Sequence, residues 1–191
     1  VEKMLREGAT FIDLGAYSSK PNAELVSEEE EMARLKPVIQ SVLKHFPDTL
    51  LSIDTFRSHV AKIGLDSGAA IINDISAGTM DENMFGVVAH FHAPYIMMHM
   101  RGTPQTMAGM TDYEDIVKEM LYYFSDKIAK ARSVGINDLI IDPGFGFAKT
   151  LDQNYEVLQK MELFQNLDYP ILAGISRKSM VYKVLESSAD E

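Results

Sequence analysis

Six short apolar runs in this chain each end in polar side chains able to hold a ligand: Asp13, Asp54, Asn73 with Asp74, His99, Asp142, and Ser176-Arg177-Lys178. A carboxylate accepts paired N–H donors, and an amide both donates and accepts. Asp54, Asn73 and Asp142 together therefore suit a planar ligand with adjacent N–H and C=O groups. Asp54 and Asn73 lie inside their runs, where burial obliges a polar group to find a partner. One such Asp alone is as readily a turn former or helix cap; a polar end on every run is harder to assign to capping. Lys20, Arg57, Arg101, Lys149, Arg177 and Lys178 put cations after five of the six runs. Helix N-termini disfavour cations, so a basic rim on an acidic chain suggests an anionic ligand such as phosphate or pyrophosphate. Taken singly, each of these cations is more simply a solvated surface side chain.

Two segments carry more information. In Ile141-Asp142-Pro143-Gly144-Phe145-Gly146-Phe147-Ala148-Lys149-Thr150 an acid closes an apolar run and a Gly-rich turn enters a helix. Lys149 stands where a dinucleotide fingerprint needs its third Gly, and Lys149-Thr150 lacks the P-loop spacing. Phe147 offers a ring to stack on a flat ligand, or a core anchor. In Ser176-Arg177-Lys178-Ser179 a Lys and a hydroxyl at a helix N-terminus make an anion or carbonyl site, or else a plain N-cap and a surface Lys. His90, His92 and His99 show no convergent metal spacing. No serine-hydrolase elbow, zinc-protease or EF-hand pattern occurs.

The elements that position these groups follow from periodicity. The runs 11–14, 50–54, 70–74, 95–99, 139–142 and 171–175 are nearly all apolar, as strands buried on both faces are. Between them lie helical patterns. Ile116, Met120, Phe124, Ile128 and Ala131 recur at steps of four and three over 113–134. Another helix spans 27–45, with Ser27 as N-cap and Glu28 to Glu31 in its first turn. A further helix begins near Arg177, and Val1, Met4, Leu5 and Ala9 place the start of the chain inside one. Gly8, Gly68 and Gly135 supply helix stops just before strands. Loop 102–106 is a candidate mobile lid. The β-α alternation predicts an α/β fold with a parallel sheet. The expectation is a (β/α)8 TIM barrel, incomplete here with strands 2–7 of eight, forming a single domain over 1–191. A complete barrel takes roughly 250 residues. The rival is an open doubly wound sheet.

Composition narrows the function classes. The chain has 191 residues, 46% hydrophobic and 24% charged, a net charge of -10, and no Cys. That excludes a disulfide framework and a Cys nucleophile, fits a reducing, cytoplasmic setting, and argues against nucleic acid or an anionic membrane as partner. No run of apolar residues is long enough for a membrane span. The 12 Met residues are scattered and suit core filling.

Six segments in order resemble the dihydropteroate synthases, the pterin-binding (β/α)8-barrel family. They are 13–21, 52–55, 72–75, 98–104, 141–150 and 176–179, each after an expected strand. The resemblance implies joining of p-aminobenzoate to 6-hydroxymethyl-7,8-dihydropterin pyrophosphate, with release of pyrophosphate, in folate biosynthesis. It implies an SN1-like route through a pterin-methyl cation. By matching motif, Asp54, Asn73, Asp142 and Lys178 resemble the pterin-binding groups, with Asp54, Asp142 and Lys178 catalytic. Ser19, Lys20, Pro21, Phe147 and Ser179 resemble the p-aminobenzoate site. Mg2+ is implied as cofactor, its associated Asn belonging to a first-strand segment that this chain lacks, so that no metal ligand is expected within it. The last-strand Arg-x-His is likewise missing, which suggests truncation, and a homodimer is implied for the full-length protein. The chain departs from the family where Ala16-Tyr17-Ser18-Ser19-Lys20 replaces Gly-Glu-Ser-Thr-Arg and where Ala148 replaces Gly. Lys for Arg keeps the charge but loses the bidentate fork. The alternatives are a pterin-binding methyltransferase domain and a non-catalytic pterin-binding fragment.

Overall fold

The computed structural model describes residues 1–19, 24–182, 184–186 and 188. Its elements are α1 (Glu2–Arg6), β1 (Phe11–Gly15), α2 (Glu28–His45), β2 (Leu50–Asp54), α3 (Ser58–Asp66), β3 (Ile71–Asp74), α4 (Met84–Phe91), β4 (Tyr95–Met98), α5 (Ile116–Ser133), β5 (Leu139–Asp142), α6 (Leu151–Gln159) and α7 (Ser179–Tyr182). The helices start where local chemistry satisfies their free amides. Ser27 accepts from Glu30 N, Asp115 from Lys118 N, and Thr150 forms a reciprocal capping box with Gln153. Buried Leu35, Ile39 and Val42 of α2, and Ile116, Met120, Phe124 and Ala131 of α5, form the apolar stripes that the spacing predicts.

The strands form one parallel sheet in the order β1-β2-β3-β4-β5. A doubly wound sheet reverses its order at a switch point; this one never does, and the sequential winding is that of an incomplete (β/α)8 barrel. One face of the sheet carries Ile12, Leu51, Ile53, Ile72, Tyr95, Met97, Leu139 and Ile141, all buried in the core cluster with the helices. The opposite face lines a concave cavity of about 340 Å³, walled by Phe11, Asp13, Ser52, Ile71, Asn73, Ile96 and Ile140. No helix among the described residues is long and apolar enough to cross a membrane.

The sixth run is not a full strand. Ile171 forms a single parallel bridge with Ile141, flanked by Ile141 N donating to Pro170 O and Leu172 N donating to Ile141 O. Pairing then stops: Ile175 N turns back to Ala173 O, and Ala-Gly has little β preference. The last helix begins at Ser179 rather than near Arg177, because Arg177 takes a left-handed φ of 56°. Thr103 N donates to Thr106 Oγ1, and the 3-10 turn that follows buries Met107 among Phe56, Ile75, Met98, Met100 and Ala148.

Asp74 departs from the pattern of ligand-facing strand ends. It lies one residue beyond Asn73 and so points to the helix layer. Fully buried, it accepts from Tyr95 Oη at 2.6 Å, Ser76 N and Oγ at 2.7 Å, and Gly78 N at 2.8 Å. Removing such an acceptor orphans several buried donors. Asp74→Ala is expected to lower stability by about 3 kcal/mol in urea unfolding, and Asp13→Ala, at an exposed strand end, by less than about 1 kcal/mol. Equal effects would contradict the structural assignment of Asp74.

Candidate functional site

Register sets the height of each polar group. Asp54 pairs with Gly15 on one side and Asn73 on the other, and Asp142 pairs with Met98. Because the strands are parallel, these residues meet at one carboxyl edge, the end where α/β barrels hold their ligands. Asn73 Nδ2 donates to Asp13 Oδ2 at 3.1 Å, reaching over β2. Ser52, two residues before Asp54 and on the same face, is buried with its Oγ unpartnered among the described residues.

The carboxylates of this edge act on one another. Burial first, then the charges of Asp13, Asp74, Glu31 and Asp142, push the Asp54 carboxyl up to about 7. Burial raises Asp142 to about 6, against the lowering influence of the Gly144 amide, Lys178 and Lys149. Gly144 N donates to Asp142 Oδ1 at 2.8 Å and fixes that carboxylate from behind. Lys178 Nζ donates to Phe145 O at 2.7 Å and sits 4.5 Å from the centre of the Phe147 ring. The 143–148 loop thus holds both an acid and a base of the site. Its turns use left-handed Gly144 and Gly146, and a Cβ on Gly144 would collide with the His99 carbonyl oxygen.

Asp54, Asn73, Asp142 and Lys178 therefore share one rim, and Phe147 lies half-buried beneath Lys178. Ser19 is half-buried in the segment after β1, and Ser179 is exposed at the first residue of the short α7. Lys20 and Pro21 lie outside the described residues.

Two of the rim cations expected from the sequence are neutralised. Arg57 is paired with the buried Glu31, which also accepts from Thr55 Oγ1 at 2.7 Å. Arg101 is paired with Glu119 and stacks over Tyr113. Lys149 is buried below the loop and bonded to His99 Nδ1. The helices α2 and α5 supply carboxylates to the two arginines; Lys178 lies beside Asp142, and Arg177 is exposed in the turn before it. Among the described residues no group of three or more His, Asp or Glu side chains converges to hold a metal ion.

Sequence reasoning missed Asp13 as the partner of Asn73, Ser52 on the lumen face, and the Lys149–His99 contact. The first two were accessible, because residues two apart along a strand share a face. The third joins side chains fifty positions apart and has no sequence signature.

The family described as pterin binding enzyme matches residues 1–191. The dihydropteroate synthase of Synechocystis sp. is 43% identical over 185 residues, covering 96% of this chain and 64% of that relative. That of Haemophilus influenzae is 40% identical over 193 residues, covering 100% of this chain and 70% of the relative. Among solved structures, a Yersinia pestis dihydropteroate synthase with a sulfonamide drug is similar with a TM-score of 0.93 and 36% identity, over 99% of this chain and 69% of that one. The chain thus spans about two thirds of these relatives, and 64% of the Synechocystis one.

The raised carboxyl of Asp54 has a consequence for stability. Between about 3.8 and 7 the folded state keeps a proton that the unfolded state has released. Stability therefore falls as pH rises through that window, and the cost is complete above about 7. Asp54→Asn carries no such cost. Its thermal midpoint should exceed the parent's at pH 8, and the gain should shrink as pH falls towards 4. A lower midpoint for the variant at pH 8 would refute this account of Asp54.

Proposed function

The chain belongs to the pterin-binding enzyme family, and on that basis we propose that the protein carrying it is a dihydropteroate synthase. It condenses p-aminobenzoate with 6-hydroxymethyl-7,8-dihydropterin pyrophosphate and releases pyrophosphate. The observation that supports this best is the shared rim of Asp54, Asn73 and Asp142, with Lys178 beside Asp142.

The chemistry follows from the residues. The 2-amino-4-oxo edge of a pterin presents adjacent N–H donors to a carboxylate, and the amide of Asn73 both donates and accepts along it. Bonds to a charged acceptor of this kind contribute roughly 1.5–3 kcal/mol each. Lys178, its Nζ held by Phe145 O over the Phe147 ring, donates to the pterin carbonyl. The C–O bond from the pterin methylene to pyrophosphate breaks first, and the leaving oxygen takes the electron pair. The resulting cation spreads its charge into the ring. Asp142, buried and fixed by the Gly144 amide, and Asp54 at the same edge stabilise that cation more than the neutral substrate, which is the differential binding that accelerates a reaction. The aryl amine then attacks the methylene and loses a proton. Ser19, Lys20, Pro21, Phe147 and Ser179 are the groups proposed around p-aminobenzoate. The Mg2+ implied by the resemblance finds no ligand set among the described residues, and no step here passes through it. A cytoplasmic homodimer belongs to the same proposal.

Asp142→Asn in the full-length protein should lower pyrophosphate release with p-aminobenzoate by at least about a hundredfold, as loss of a fixed electrostatic group does, with unchanged circular dichroism. Near-normal turnover would reject the role given to Asp142. In the parent, pterin affinity measured by calorimetry should weaken as pH falls below about 6, because a protonated Asp142 accepts fewer N–H donors. An affinity unchanged down to pH 5 would reject the ionised form as the pterin-binding one.

A further inference from the structure

Lys149 is a buried amine that this mechanism leaves unused; burial pulls its pKa down to about 7, against the raising influence of Asp142. Its Nζ lies 3.1 Å from His99 Nδ1, 3.0 Å from Gly144 O and 3.1 Å from Phe147 O. Three donors meet three acceptors, none of them a carboxylate. The His99 ring is neutral, its pKa held down to about 2 by burial and the charges of Lys149 and Arg101, and with Nδ1 accepting from Lys149 its proton is on Nε2. Burying an ionisable amine against neutral acceptors is expensive, and a Met of similar length would pack there at lower cost.

The two carbonyls that Lys149 holds bracket the loop on which the site depends. Gly144 carries the amide that orients Asp142, and Phe147 carries the ring under Lys178. Between them, Phe145 O receives Lys178 Nζ. The other side of the loop is held by Asn154, whose Oδ1 accepts from Gly146 N at 2.7 Å, and by Tyr113, whose hydroxyl donates to Ala148 O at 2.9 Å. The loop also contains left-handed Ala148, with a φ of 47°, a conformation that L residues other than Gly disfavour. Such a turn persists only where its surroundings fix it. His99 completes the frame, because its own amide donates to the backbone oxygen of Asp142 at 2.9 Å.

We propose that Lys149 is a positioning residue: by clamping Gly144 O and Phe147 O against His99 it sets the loop that aims Asp142 and Lys178 at the ligand. It touches no substrate. The assignment of Asp142 and Lys178 as ligand groups rests on the function proposed above; the clamping of the loop does not.

The test separates the two. In ligand-free protein labelled with 15N-glycine, Lys149→Met should speed the normalised amide exchange of Gly144 at least tenfold, with Gly64 of α3 unchanged. With substrates, the same variant should lower kcat and raise the pterin Kd at least tenfold at a temperature where its circular dichroism matches that of the parent, a loss that general destabilisation does not produce. Unchanged Gly144 exchange overturns the proposal outright. A parent protein that binds no pterin, combined with accelerated Gly144 exchange in the variant, sinks the proposed function and leaves the clamp standing. If Lys149→Met does not fold, His99→Phe keeps a ring against Tyr123 and removes the acceptor, and Gly144 exchange should then rise at least threefold; no rise overturns the proposal.

Discussion

Side chains alternate across a strand, and in a parallel sheet of fixed register that two-residue period decides where every polar group can go. Here it sends Ile12, Ile53, Ile72 and Ile141 into the helix layer and Asp13, Ser52 and Asn73 onto the concave face. A shift of one residue in β3 would exchange Asn73 with Asp74. The amide would then be buried under α5, and a carboxylate would enter a rim already crowded with them. The bonds of Asp74 to Tyr95, Ser76 and Gly78 oppose that slip, so a group with no contact to the ligand helps to determine which side chain the ligand meets.

The second consequence is electrostatic. A rim with Asp13, Asp54 and Asp142 is costly to ionise: burial raises both Asp54 and Asp142, and at Asp54 the neighbouring carboxylates add to the rise. Lys178 and Lys149 oppose the rise at Asp142, whereas Arg57 and Arg101 are bound to Glu31 and Glu119. These pairs are better understood as ties that hold the segments after β2 and β4 to α2 and α5. The net field at the mouth is therefore negative near Asp54 and balanced near Lys178, an arrangement that favours a ligand whose planar edge donates protons and becomes cationic.

Much of this was legible in the amino-acid sequence, and the parts that were not have a common cause. The cap at Ser27 depends on a residue three positions away, so local spacing suffices to find it; the caps at Asp115 and Thr150 have the same spacing, but sequence reasoning missed them. The strand ends at Asp54, Asn73 and Asp142 follow from hydrophobic patterning. The pairing of Arg57 with Glu31 joins groups 26 residues apart, and Glu31 had a complete local explanation in the helix dipole. The same holds for Lys149, whose acceptors include an imidazole fifty residues earlier. The sixth run was apolar enough for a strand, but strand length is set by a neighbouring ladder as well as by propensity, and only Ile171 bridges β5.

Buried carboxylates weaken a fold, and a site that uses them needs compensation elsewhere. The compensation here is geometric. Asp142 is held through the Gly144 amide, that glycine through Lys149, and Lys149 through His99, whose own amide returns to the Asp142 carbonyl. The circuit is closed, so moving any member strains all four. A fixed carboxylate need not reorganise as a cation forms beside it, and it is this absence of reorganisation, more than the charge itself, that distinguishes a protein site from water. The apolar core beneath the sheet supplies the stability from which that arrangement is maintained.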